Sequence, residues 1–425
     1  MKRSRLRWNK LDNTGNLFPA IAKPGMSNVY RVSVLLKEEI KEELLQKALE
    51  QVLPYFDMFQ SCMKRGIFWY YLESSPVPFP KVTKEHTYPC LYIDPDNNKN
   101  DHLFRLTYYK NRINLEVFHA VTDGNGAIAF LKEITYQYIR NAHPELKGKV
   151  SDFLAAETSL NNEDSYVQNY KKKEKKTYKT KKAVIVKGDK FIVNQLGIIH
   201  GIIDLQDIKR VSKSYGVTIN QYLVGVYAWA IYKSYLKQHV SKYPISIACP
   251  VNLRPYFDSD TNKNFFVMVS AVYNAMVNNA SFEEVLKAIA ESLKEQITKE
   301  NLERLFSYNV SNEMNMILRA IPLFIKKIAI AQVYNASARA NTTTLTNLGV
   351  MKVTEPYGDY IERFQAMLAM SKGQSIKCTV LSYNESLVAT FSASISETGI
   401  QRAFFRKLTD DGIKVHIETN GAYYE

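Results

Sequence analysis

The chain has 425 residues and a formal net charge of +14, from 56 Lys and Arg against 42 Asp and Glu. Apolar residues make up 46% and charged residues 23%, a globular balance with enough chain for two cores, which excludes collagen-like and disordered classes. No apolar run reaches the roughly eighteen residues of a spanning helix, the basic start has no secretory apolar core, and Cys62, Cys90, Cys249 and Cys378 lie too far apart for a zinc or dithiol pair. These features predict a reduced, cytoplasmic protein without a bound metal, and we expect a monomer.

In chain order, Val29 to Leu36 reads as a strand, and 41–53 as a helix burying Leu44, Leu45, Ala48, Leu49 and Val52, closed by Pro54. The aromatic-rich stretch from Phe56 to Leu72 reads as core that ends in a strand over 67–72. Cys90 to Ile93 is a short predicted strand. Leu103 to Tyr109 and Ile113 to Phe118 are two more, paired around a tight turn at Asn111-Arg112. Beyond Gly126, Ile128, Leu131, Ile134 and Tyr138 recur at three- and four-residue steps, one face of a helix. Residues 1–150 thus form one predicted unit, a mixed sheet carrying helices.

Residues 151–185 are polar and weakly periodic, and read as a linker. Its lysine run, Lys171 to Lys182, contains a single acid, Glu174, and no arginine. That composition suits a solvated segment better than planar base or phosphate recognition.

The second unit, 186–425, opens with a strand over 191–203 and a helix over 205–215. Thr218 is the natural N-cap of the next helix, which buries Tyr222, Leu223, Val226, Tyr227, Ala230 and Ile231. Tyr243 to Val251 is apolar enough for a central strand. Helices follow at 281–299, capped by Ser281, and at 302–318. A third, apolar helix at 322–333 is expected as a buried cover or a pocket wall. Strands at 342–349, 360–370, 375–382 and 386–393, a helix at 397–409 and a strand at 413–417 complete the pattern. His416 alternates with apolar neighbours in that last strand and points to the polar side.

The stretch that carries chemistry is His119-Ala120-Val121-Thr122-Asp123-Gly124, between a predicted strand and a predicted helix. A histidine at a strand end is held by a rigid element, and its neutral imidazole can take a proton near neutral pH. An acid four residues on can hold the turn through hydrogen bonds or an arginine. A glycine there permits close approach of another element. The segment resembles the H-x-x-x-D-G motif of the acyltransferase superfamily related to chloramphenicol acetyltransferase. That superfamily includes peptide-synthetase condensation domains and bacterial alcohol acetyltransferase-like proteins.

The resemblance extends along the chain. Leu11-Asp12 with Phe18-Pro19 is similar to an opening stretch that lines the approach to the site. Pro250-Val251-Asn252-Leu253-Arg254 resembles a strand end whose arginine pairs with the motif acid, which implies an ion pair between Arg254 and Asp123. Asn262 to Val269 resembles a further family segment, except that Lys263 or Asn264 stands where glycine is common. Thr342 to Gly349 resembles a strand close to the catalytic histidine. It implies Thr344, Thr346 and Asn347 as donors to a developing oxyanion or a pantetheine arm.

What the resemblance implies is an α/β fold of two acetyltransferase-like subdomains, each a mixed β-sheet with flanking helices, forming a cleft or tunnel between them. The implied reaction moves an acyl group from an acyl-CoA or acyl carrier protein thioester to an alcohol or amine. His119 is then the general base, Asp123, Gly124 and Arg254 are structural, and no metal or permanent cofactor takes part. Two other classes stay open. One is a non-catalytic member of the fold that binds a carrier or partner, against which the intact His119, Asp123, Gly124 and Arg254 weigh. The other, a nucleic-acid binder, rests on charge alone, without a helix-turn-helix, zinc or RNA-recognition pattern.

Overall fold

The computed structural model describes residues 8–77, 79–94, 101–146, 159–171, 181–314 and 320–424. Residues 151–158 and 172–180 of the expected linker, with most of its lysine run, lie outside the described residues. Two mixed sheets organise the rest. The first has five strands, in the order Ile361–Leu368, Val29–Leu36, Arg112–Phe118, Phe104–Tyr109 and Thr83–Lys84. The second has seven, in the order Phe266–Tyr273, Ile245–Asn252, Thr343–Val350, Ile376–Tyr383, Ser386–Ala393, Gly197–Asp204 and Val415–Thr419. Thr343–Val350 runs parallel to both of its neighbours, and the other pairs of this sheet are antiparallel. This is the mixed α/β architecture that the sequence predicts.

Each sheet buries one face under amphipathic helices. Glu42–Val52 and Gly124–Ala142 pack together over the first sheet, and Leu45, Leu49, Leu115, Phe130 and Ile134 share its core. Over the second, Ile219–Ala230 lies between Phe282–Gln296 and Gly399–Asp410, with Tyr222, Val226, Ile247, Ile289 and Phe404 in a separate core. Local chemistry starts these helices where predicted. Thr218 and Ser281 each close a capping box with the residue three places on, Gln221 and Glu284.

The division along the chain is not a division of strands. Ile361–Leu368 comes from the second half yet pairs antiparallel with Val29–Leu36, placing Ala366 opposite Val32. The same strand is tied to the second sheet, because the Thr379 and Ser392 hydroxyls donate to the Ala366 and Leu368 carbonyls. It therefore stitches the two halves face to face.

Three local expectations change. The aromatic stretch forms a hairpin, Ser61–Arg65 with Tyr70–Ser74, so Ile67 and Phe68 fall at an exposed tip while Phe56, Phe59, Met63 and Leu72 are buried. Cys90–Ile93 is not a strand, since Cys90 adopts a left-handed backbone (φ 57°) that breaks extension. The apolar helix near 322–333 exists, at Leu323–Ser337, but it is not a buried cover. Of its residues, only Leu323 and Lys326 are buried, and its outer face is open to solvent.

Candidate active site

His119 directly follows strand Arg112–Phe118, whose residues from Ile113 onward are all buried. Its backbone N–H donates to the Asn28 carbonyl at 3.0 Å, which fixes the exit of the chain from the sheet. The ring lies in the seam between the halves. From the first half, Phe18 stacks on it at 4.4 Å between centroids and Tyr30 approaches at 4.8 Å; from the second, Phe266 lies at 5.7 Å. Burial among these rings holds the imidazole pKa below its ordinary 6.5, against the raising effects of its own backbone, of Asp123 and of the Asn264 hydrogen bond. The neutral form is favoured.

The second half also supplies Asn264, whose Oδ1 lies 3.1 Å from His119 Nδ1. The orientation of that amide follows from its other contacts. Its Nδ2 donates to Asp12 Oδ2 at 2.9 Å and to the His119 carbonyl at 3.3 Å, and both are acceptors. Oδ1 therefore faces the imidazole as an acceptor, which places the ring proton on Nδ1 and leaves the lone pair on Nε2. Among the described residues, Nε2 has no hydrogen-bond partner. Asp12 is itself anchored, accepting from the Gly15 N–H at 2.6 Å and the Asn264 N–H at 3.2 Å. Burial pushes its carboxyl up to about 7, against the lowering effect of its Asn264 and Gly15 hydrogen bonds.

Asp123 points away from this chain of contacts. It is the N-cap of helix Gly124–Ala142, accepting from the Asn125 and Gly126 N–H groups at 3.1 and 3.4 Å. Arg254 grips the same carboxylate with two nitrogens, Nη1 to Oδ2 at 2.8 Å and Nη2 to Oδ1 at 3.2 Å. The guanidinium also donates to the Thr261 and Lys263 carbonyls at 2.8 and 2.7 Å, and the Phe265 N–H donates to Asp123 at 3.1 Å. One ion pair thus ties the motif turn to the loop that carries Asn264. Gly124 is explained by close approach, because a Cβ there would meet Leu348 Cδ2 at 2.6 Å. At Gly126 a Cβ would meet the Asn262 carbonyl oxygen at 2.7 Å.

The threonine strand comes near through Leu348. Thr344, Thr346 and Leu348 alternate onto one face, whereas Leu345 enters the second core on the other. Thr344 is buried and donates to Gln374 Oε1 at 2.8 Å. Asn347 is exposed and is engaged with Asn220 at 3.2 Å and with the Gly349 N–H at 2.8 Å. Thr346 is half-buried, with no side-chain hydrogen bond among the described residues. The structure therefore brings His119, Asp123, Gly124 and Arg254 together, sets Thr346 on the face that approaches them, and turns Asn347 away. Among the described residues no group of three or more His, Cys, Asp or Glu side chains could hold a metal ion.

Sequence reading missed the link between Asp12, Asn264 and His119. Its traces were that Leu11-Asp12 resembles a stretch lining the approach to the site and that Lys263 or Asn264 occupies a position where glycine is common.

A profile of the alcohol acetyltransferase family matches residues 142–362, just over half of the chain. The chain belongs to the alcohol acetyltransferase family. The match includes Arg254, Asn264 and Thr343–Val350 but begins after the His119 motif, so the motif and the profile are separate signals. No curated protein sequence matches. Among solved structures, the TRI101 protein of F. sporotrichioides, complexed with coenzyme A and T-2, is similar over 98% of this chain and 100% of its own, at 11% identity and a TM-score of 0.65. Polyketide synthase associated protein 5 from Mycobacterium tuberculosis is 14% identical over 94% of this chain and 96% of its own, with a TM-score of 0.61. The epimerization domain from the third module of tyrocidine synthetase B gives 10% identity, 97% of each chain and 0.59. At these identities the likeness is one of fold. The chain is an acyltransferase by its family.

Proposed function

We propose that this chain transfers an acyl group from the thioester of coenzyme A to the hydroxyl of a small alcohol, or to an amine, with His119 as general base. The observation that carries this reading is the unpartnered Nε2 of a neutral imidazole, held in one tautomer by Asn264 at the seam of two sheets. That coenzyme A and T-2 were bound together in the TRI101 protein supports coenzyme A as donor and an alcohol as acceptor.

In the proposed reaction, Nε2 takes the proton of the acceptor as its oxygen or nitrogen attacks the thioester carbonyl carbon. The oxyanion collapses, the carbon–sulfur bond breaks, and the imidazolium returns the proton to the leaving thiolate. Thr346, on the strand face that approaches Gly124, would donate to the oxyanion or to the pantetheine arm. Asp123 and Arg254 keep the turn in shape and take no proton. Asp12 and Asn264 hold the imidazole proton on Nδ1.

The test is to incubate the protein with acetyl-CoA and longer acyl-CoA donors and a panel of alcohols and amines, following thiol release and acylated product. His119→Ala is expected to lose both while keeping its thermal unfolding transition. Thiol release and product that persist in the folded variant refute the mechanism.

A further inference from the structure

Helix Leu323–Ser337 is apolar on both sides of its circumference, and one of those sides is left open to solvent. At about 100° per residue, Phe324, Ile325, Ile328, Ala329, Gln332 and Val333 occupy the outer half of its circumference. Leu323, Lys326, Lys327, Ile330, Ala331 and Tyr334 occupy the inner half. On the outer half, Phe324 is 58% exposed, Ile325 45%, Ile328 60% and Val333 70%. A soluble helix with a solvated outer face has the opposite pattern.

The face does not stand alone. The tip of hairpin Ser61–Arg65/Tyr70–Ser74 joins it, because the Leu323 N–H donates to the Ile67 carbonyl at 2.8 Å and Lys326 Nζ to the Phe68 carbonyl at 3.2 Å. The Lys326 ammonium also sits 3.5 Å above the Trp69 ring. Ile67 and Phe68, 74% and 42% exposed, extend the apolar surface across both elements. Contiguous exposed apolar surface of this kind marks an interaction site.

Charge selects the occupant. Segments 61–70 and 323–337 contain Lys64, Arg65, Lys326 and Lys327 and no acid; Arg65 is exposed and Lys64 and Lys327 are half-buried, whereas Lys326 is buried. Glu73, on the returning strand, lies 3.9 Å from Lys64. A second copy docking by two-fold symmetry would set these cations against themselves. A bilayer with anionic headgroups satisfies both features, with the exposed apolar side chains in the acyl boundary and the exposed Arg65 and half-buried Lys327 reaching toward the headgroups, while Lys326 stays buried beneath the face. Position agrees. The helix packs against Phe18–Ile21, whose Phe18 stacks on His119, so the surface borders the wall of the site. We propose that the Leu323–Ser337 helix and the Ile67–Phe68 tip form a docking surface for an anionic lipid bilayer.

Sedimentation with phosphatidylcholine vesicles, with and without phosphatidylglycerol, tests this on the whole protein. The expected result is partition that rises with anionic lipid and falls with salt. Partition should fall at least about tenfold in an Ile67→Ser/Phe68→Ser/Phe324→Ser/Ile328→Ser variant, since bound apolar area sets the affinity. An Arg65→Gln/Lys327→Gln variant, which leaves the apolar residues in place, should lose about fivefold for each cation removed. Thermal unfolding checks the fold of both. The proposal is overturned by a wild-type protein that does not partition, by variants that partition equally well, or by a dimer that the apolar substitutions dissociate. The readout needs no turnover, so it stands or falls separately from the acyl-transfer assignment.

Discussion

Replacing Asn264 with leucine, which is close in size, removes two things at once. The His119 Nδ1–H loses the acceptor 3.1 Å away, and Asp12 loses a donor at 2.9 Å. A buried polar group left without its partner costs about 1–3 kcal/mol. Applied to the Nδ1–H tautomer alone, that lowers its population relative to the other by about five- to a hundredfold. Since only this tautomer offers Nε2 as a base, kcat should fall by about five- to a hundredfold, with KM nearly unchanged. Steady-state thiol release gives kcat and KM, thermal unfolding monitors the fold, and the nitrogen NMR shifts of His119 report the tautomer directly. Asp12→Asn, which still offers a carbonyl oxygen to the Asn264 amide, should retain more activity than Asn264→Leu. A folded Asn264→Leu protein with kcat within about twofold of wild type, or with an unchanged tautomer, refutes the reasoning.

The Arg254–Asp123 pair is largely buried, with 12% and 6% of the two side chains exposed, so removing one partner strands the other's charge. Arg254→Met should cost about 3–5 kcal/mol in urea unfolding, and Asp123→Asn in the same background should add much less than it does alone. Strictly additive losses would show that the pair is not coupled. For pH, the neutral imidazole is the base, protonation silences it, and burial lowers its pKa, so silencing is postponed to more acidic solution. The acid limb of kcat/KM should lie below pH 6.5, and a limb at or above that value contradicts the burial argument.

Elements fixed by local chemistry were legible. The caps at Thr218 and Ser281 need only a hydroxyl and a partner three residues on. The motif helix was expected after Gly126 and starts at Gly124, because Asp123 serves both as its cap and as the arginine's partner. Helix Leu323–Ser337 was legible as a helix but not in its orientation. Apolar residues occupy both arcs, and periodicity cannot say which arc meets solvent. The hairpin tip failed for a related reason: Ile67 and Phe68 look like core by composition, and only the pairing of Ser61–Arg65 with Tyr70–Ser74 turns them outward.

By itself the sequence determined the alternation of strands and helices, the residues of the His119 motif and the arginine suited to its acid, since each depends on residue type and short spacing. Tertiary structure alone decided that Ile361–Leu368 crosses into the first sheet and that Asn264 orients the imidazole. It also decided that Asp12, 252 positions away from Asn264, orients that amide in turn. Hydrogen-bond geometry acts over about 3 Å in space and leaves no periodic mark on a chain whose partners lie hundreds of residues apart.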